Sequence, residues 1–211
     1  MKIYDFSLPM EAGMPVFPET DPVDIRHSHT IEEHSFQMGQ LILNSHAGTH
    51  CDAPVHFLLN GKGLEHWELQ RCVGLARILN FSHKKPKEPI TVEDLAPYDN
   101  LIEPGARLLI RTDWGDNFGK DNYFSDYPPI SVEAAKWFVE KKVGLLGLEP
   151  PSINPECPDV IHKILLEGDI MIIESLTNLR SVKSDTIFFV GAPINFKGAD
   201  GVAVRAFGIE F

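Results

Sequence analysis

The sequence predicts one α/β domain built on a mixed β-sheet with few helices. Short apolar runs recur along the chain, whereas only two stretches combine helical spacing of apolar residues with recognisable ends. A length of 211 residues suits a single domain with ample core, so 1–211 is expected to fold as one unit.

The elements follow in order. Residues 3–6 and 36–43 read as strands, and 72–79 and 108–112 as apolar strands. The stretch 83–89, HKKPKEP, resembles a linker most but is short and reads as a basic surface loop. Thr91, with Asp94 three residues on, marks the capped start of a brief helix. Ser131 caps a helix running to about Lys142, with Ala134, Ala135, Phe138 and Val139 on its inner face. Residues 143–148 form a buried strand broken by Gly144 and Gly147. Pro158 suits the first turn of a helix that points Ile161, Leu165 and Leu166 inward and stops at Gly168. Residues 170–173, 186–190 and 201–211 complete the strands.

Composition narrows the function. The formal charge of −11 and pI near 5.2 argue against a nucleic-acid partner. No apolar run approaches the ~20 residues that span a bilayer. The start, MKIYDFSLPM, lacks the pattern of a signal peptide. Cys51, Cys72 and Cys157 are odd in number and have no C-x-x-C spacing, which fits a reducing compartment. The expectation is a cytoplasmic protein acting on a small molecule.

The chemistry lies in NSHAGTHCDAPVHF. His46, His50, Asp52 and His56 fall on even positions, and Ala47, Thr49, Cys51, Ala53, Val55 and Phe57 on odd ones. In an extended chain side chains alternate between faces, so one face would carry three imidazoles and a carboxylate and the other would suit a core. A helical placement is disfavoured by Gly48, Thr49 and Pro54. Grouping such residues is costly without a compensating charge, so the stripe reads as a metal site. Two later residues look out of place. Glu174 ends the apolar run 170–173, and His162 sits on the preceding helix; each read alone is an ordinary strand-end or helix-flank residue. His27, His29 and His34 lie among Asp24, Glu32 and Glu33 and read as a solvated loop, and Cys51 reads as a small packing residue.

The segment His46-x-Gly48-Thr49-His50-x-Asp52-x-Pro54-x-His56-Phe57 resembles the signature of the cyclase-like metal-dependent hydrolases, a group that includes bacterial kynurenine formamidases and isatin hydrolases. Its late histidine with a glutamate twelve residues on is matched by His162 and Glu174. Leu109-Ile110-Arg111-Thr112-x-Trp114, the Ser131 helix with Ala134, Ala135 and Trp137, and Pro151-Ser152 extend the likeness over most of the chain.

The resemblance implies a swivelling β/β/α fold in a homodimer or homotetramer. It implies that His46, His50 and Asp52 hold one Zn2+, and that Asp52 and Glu174 bridge to a second ion also bound by His162. His56 would stand outside as proton donor and acceptor. One ion, often Mn2+, is the pattern of the isatin hydrolases. The implied activity is hydrolysis of a small amide, formamide, lactam or ester, with the cation lowering the pKa of a water towards ~7. A cyclase or dehydratase using the same ion, or a metal-binding protein without turnover, are the other readings. Two positions depart from the family: Phe17 stands where formamidases have a substrate-stacking tryptophan, and Glu149 where an aspartate is common.

Overall fold

The computed structural model describes residues 1–211. Its strands are β1 (Lys2–Asp5), β2 (Asp24–His29), β3 (Met38–Ile42), β4 (His50–Asp52), β5 (Val73–Asn80), β6 (Arg107–Arg111), β7 (Leu145–Leu148), β8 (Met171–Glu174), β9 (Thr186–Val190), β10 (Gly201–Ala203) and β11 (Phe207–Glu210). Nine of them form one mixed sheet in the order β1-β11-β9-β5-β6-β7-β8-β4-β10, and β2 pairs only with β3. The α/β architecture expected from the sequence is present.

The middle of the sheet is parallel, from β5 through β6 and β7 to β8, and the flanks are antiparallel. Parallel neighbours need long crossovers. Helix Val132–Glu140 joins β6 to β7, and helix Pro158–Glu167 joins β7 to β8. Every residue of β7 and β8 is buried, which explains why both read as continuous apolar runs. A core of 42 buried residues fills the space between sheet and helices. The Ser131 hydroxyl accepts from the Ala134 amide at 3.1 Å, and Thr91 and Asp94 form the expected capping box. At the end of the Pro158 helix the left-handed residue is Asp169 (φ 60°), one beyond Gly168 (φ −75°).

Three expectations need correction. The striped segment is extended only over β4; His46 lies in the turn before it and His56 ends the 3-10 helix Pro54–His56. The stretch around His27 and His29 is strand β2 of an exposed hairpin, not a loop. The terminal run is two strands at different places in the sheet: Val204 still follows the β4 register, its amide donating to the Thr49 carbonyl, and the chain departs after it, where the Ala206 amide donates to the Ser7 hydroxyl. Chain and sheet curl there: Ser7 forms an isolated bridge with Leu176, just beyond β8.

Candidate metal centre

β4 is inserted antiparallel between β8 and β10, with His50 opposite Glu174 and Asp52 opposite Gly201. That register gathers residues far apart in sequence. His50 and Asp52 point to one face of β4, and Cys51 is buried on the other. Burial raises the Cys51 thiol well above its ordinary value, which leaves it a packing residue.

The gathered donors are close. His50 Nε2 lies 3.3 Å from Asp52 Oδ1 and 3.4 Å from Glu174 Oε2. His162 Nε2 lies 3.1 Å from Glu174 Oε1 and 3.6 Å from Asp52 Oδ2. His46 Nδ1 lies 3.0 Å from Asp52 Oδ1. One donor atom each from His50, Asp52 and Glu174 falls within 4.8 Å of the others, as do donors from His46, Asp52 and His56. All six sequence-identified residues therefore meet at one place.

The outward ring nitrogens show how the imidazoles are aimed. His50 Nδ1 donates to the Gly48 carbonyl at 2.8 Å, and His162 Nδ1 to the Pro158 carbonyl at 2.6 Å. Each bond keeps a proton on Nδ1 and turns Nε2 towards the carboxylates, so that in the neutral ring Nε2 is the lone-pair atom. The first depends on Gly48, whose φ of +62° turns its carbonyl back.

The electrostatics ask for a cation. Burial opposes a charged imidazole at His50 and His162, yet Asp52 and Glu174 outweigh it and lift both to about 10. Burial alone would raise the Asp52 carboxyl, but the surrounding imidazoles hold it well below the usual range. Two buried atoms, His50 Nε2 and Asp52 Oδ2, have no hydrogen-bond partner. Orphaned polar atoms inside a protein are costly, and a divalent ion satisfies both at once. The donor set of imidazoles and carboxylates fits such an ion.

His56 differs from the rest. Its ring stacks on His46 with centroids 3.8 Å apart, and burial lowers it to about 4, so it is neutral at pH 7. A cavity of about 280 Å³ opens over His46, His50, His56, His162 and Glu174. Its outer wall is aromatic: Phe17 sits edge-on to Phe124 at 5.7 Å, and Tyr123 and Phe118 continue the wall. No lysine or arginine lines it.

Sequence reasoning missed Phe118, Tyr123 and Phe124, which come from a turn-rich stretch without periodicity. It also missed Asp200, 3.0 Å from His46 Nε2, because Gly198-Ala199-Asp200-Gly201 reads locally as a turn. His27, His29 and His34 stay on the hairpin, away from the site. Glu149 is not a donor to the cluster; it is a buried clamp. Its carboxylate accepts the amides of Thr112 at 2.8 Å, Asp113 at 2.5 Å and Leu179 at 3.3 Å.

Known proteins resemble this chain over nearly its whole length. The kynurenine formamidase of Bacillus thuringiensis subsp. konkukian (strain 97-27) is 32% identical over 206 residues, 96% of this chain and 94% of that protein. The kynurenine formamidase of Erythrobacter litoralis (strain HTCC2594) is 29% identical over 208 residues, 97% of this chain and 92% of that one. A solved structure described as a potential metal-dependent hydrolase with cyclase activity superposes with a TM-score of 0.83 at 26% identity, covering 98% of this chain and 96% of the other. An isatin hydrolase bound to the product analogue thioisatinate shares the fold, with a TM-score of 0.89 at 18% identity and coverage of 98% and 91%. The family model described as putative cyclase matches residues 4–155, which include β4 and the turn that carries His46. This chain belongs to the cyclase family.

Proposed function

We propose that the protein is a metal-dependent hydrolase of small aromatic amides, with an aryl formamide or a fused aryl lactam as substrate. The observation that carries this reading is a buried, cation-seeking cluster opening onto an aromatic cavity beside a neutral histidine.

His46, His50, Asp52, His162 and Glu174 would hold the ion. Asp52 turns Oδ1 towards His46 and His50 and Oδ2 towards His162, so both of its oxygens would be available to hold one or two ions. Three imidazoles favour zinc over manganese. When bound, the ion supplies Lewis acidity, polarising a carbonyl and making a water acidic near pH 7.

The protein's own residues do the rest. Phe17 and Phe124 pack against the substrate ring and hold its amide over the cluster. Neutral His56 accepts the proton of the attacking water, then returns it to the departing amine nitrogen. Its Nδ1 lies 3.9 Å from Asp200 Oδ2, so the imidazolium formed midway faces a carboxylate. With Glu174 in the wall and no lysine or arginine to pair an anion, the cavity favours a ring without an anionic substituent.

Metal content and turnover on N-formylkynurenine, isatin and simple aryl formamides test the reading. His56→Ala is expected to keep its metal and lose at least about 10²-fold in kcat. Asp52→Ala is expected to lose both. A metal-free His56→Ala would make His56 a ligand, and no hydrolysis by the metallated wild type would overturn the proposal.

Self-association belongs to the same proposal. The β2–β3 hairpin exposes Ile31, Phe36, Met38 and Leu41, and two strands alone are marginal in water. A second copy covering them makes a dimer, which light scattering would detect; a monomer at micromolar concentration would count against it. No helix is long and apolar enough to cross a membrane.

A further inference from the structure

Two of the three cluster imidazoles have their tautomer set by backbone carbonyls, Gly48 for His50 and Pro158 for His162. His46 has no such carbonyl. Its Nε2 faces the Asp200 carboxylate at 3.0 Å, and its Nδ1 faces Asp52 Oδ1 at 3.0 Å. A neutral imidazole carries one N–H, and a carboxylate can only accept. Both ring nitrogens thus meet acceptors, and one contact must be made without the proton.

The surroundings settle which. Asp200 is fixed from several sides. Its carbonyl accepts the Ala53 amide at 2.8 Å, its side chain accepts the Ser45 hydroxyl at 3.2 Å, and Gly201 beside it pairs with Asp52. Gly201 also lets the ring in, since a Cβ there would lie 2.5 Å from His46 Cε1. Asp52, by contrast, already has the imidazoles of His50 and His162 around it.

Resting on the metal-dependent reading above, we propose that Asp200 is a positioning residue that holds the His46 proton on Nε2, making Nδ1 the donor to the ion. His46 would then ligate through the opposite ring nitrogen from His50 and His162. Removing the Asp200 charge frees the proton to move to Nδ1, where it meets Asp52 and blocks the lone pair.

Chelator competition with Zn2+ on wild type, Asp200→Asn and Ser45→Ala tests this, alongside long-range 1H–15N spectra of the zinc-loaded proteins. Asp200→Asn should bind the same number of ions at saturation with an affinity lower by about 10- to 100-fold. Ser45→Ala should show a smaller loss in the same direction. Wild-type spectra should show His46 protonated at Nε2 and zinc-bound at Nδ1. An Asp200→Asn affinity equal to wild type, or zinc on Nε2, overturns the proposal. So does a lower ion count in Asp200→Asn, which would make Asp200 a ligand. If Asp200→Asn does not fold, the wild-type tautomer and the Ser45→Ala affinity decide. Failure of the metal-dependent reading is separate: wild type itself would then bind no ion.

Discussion

Glu149→Gln should reverse part of the protein's pH dependence of stability. Burial raises the Glu149 carboxyl to about 7, against the pull of its three amide donors. A folded value above the unfolded one means the native state holds the proton more tightly. Stability from this group is full below the unfolded value of 4.5 and is lost as pH rises through 7. At 1.36 kcal/mol per pH unit, the loss once ionised is roughly 3 kcal/mol, of which roughly 2.5 falls between pH 5 and 8. Gln has no such titration. Its amide group facing a backbone N–H adds a penalty of about 1–3 kcal/mol that is the same at every pH. Thermal unfolding of the metal-saturated proteins at pH 5, 6, 7 and 8 measures the difference, and titrations elsewhere cancel between the two. The variant should gain on wild type by about 5–10 °C across that range. A flat difference, or wild type gaining as pH rises, would refute the reasoning and mean that the three amides win over burial.

Other consequences can be measured on the same material. Gly201→Ala places a Cβ 2.5 Å from His46 Cε1, so the ring must shift; zinc affinity in chelator competition should fall on the order of tenfold, with a stability cost of about 1–3 kcal/mol. Phe124→Ala removes the partner of Phe17 and should raise KM for aryl substrates by up to about tenfold while leaving metal content unchanged. Stripping metal with a chelator should lower the wild-type melting temperature, since an ion at a thousand times its Kd stabilises by about 4 kcal/mol. Asp52→Ala should melt at the same temperature with and without chelator.

The donors were legible in the sequence because they are dense where the chain is locally ordered. His46, His50, Asp52 and His56 lie within eleven residues, and Glu174 stands out as a charge at the end of an apolar strand. The reason for their convergence was only partly legible. Alternation holds for His50 and Asp52, but Gly48 and Pro54 bend the chain, and the stacking of His46 on His56 comes from those bends. Asp200 was invisible because its meaning is a strand register, Gly201 against Asp52, set by residues roughly 150 apart. The same limit hid the break in the terminal run. Arg205 and Ala206 look like strand residues, and only the Asp5 carboxylate and Ser7 hydroxyl that receive them show otherwise. The aromatic wall escaped notice because Phe118, Tyr123 and Phe124 are held by turns rather than by a repeat.

The pairing of β1 with β11 and of β4 with β10 has a consequence for biosynthesis. Lys2 waits for Glu210, and the strand carrying His50 and Asp52 waits for Gly201–Ala203. A chain emerging from the ribosome can pack its parallel centre early, but both flanks stay open until those last strands have emerged. Asp200, which holds His46, arrives with them. Ion capture therefore waits for β10, and nascent chains ending before residue 200 should emerge unable to retain a divalent ion.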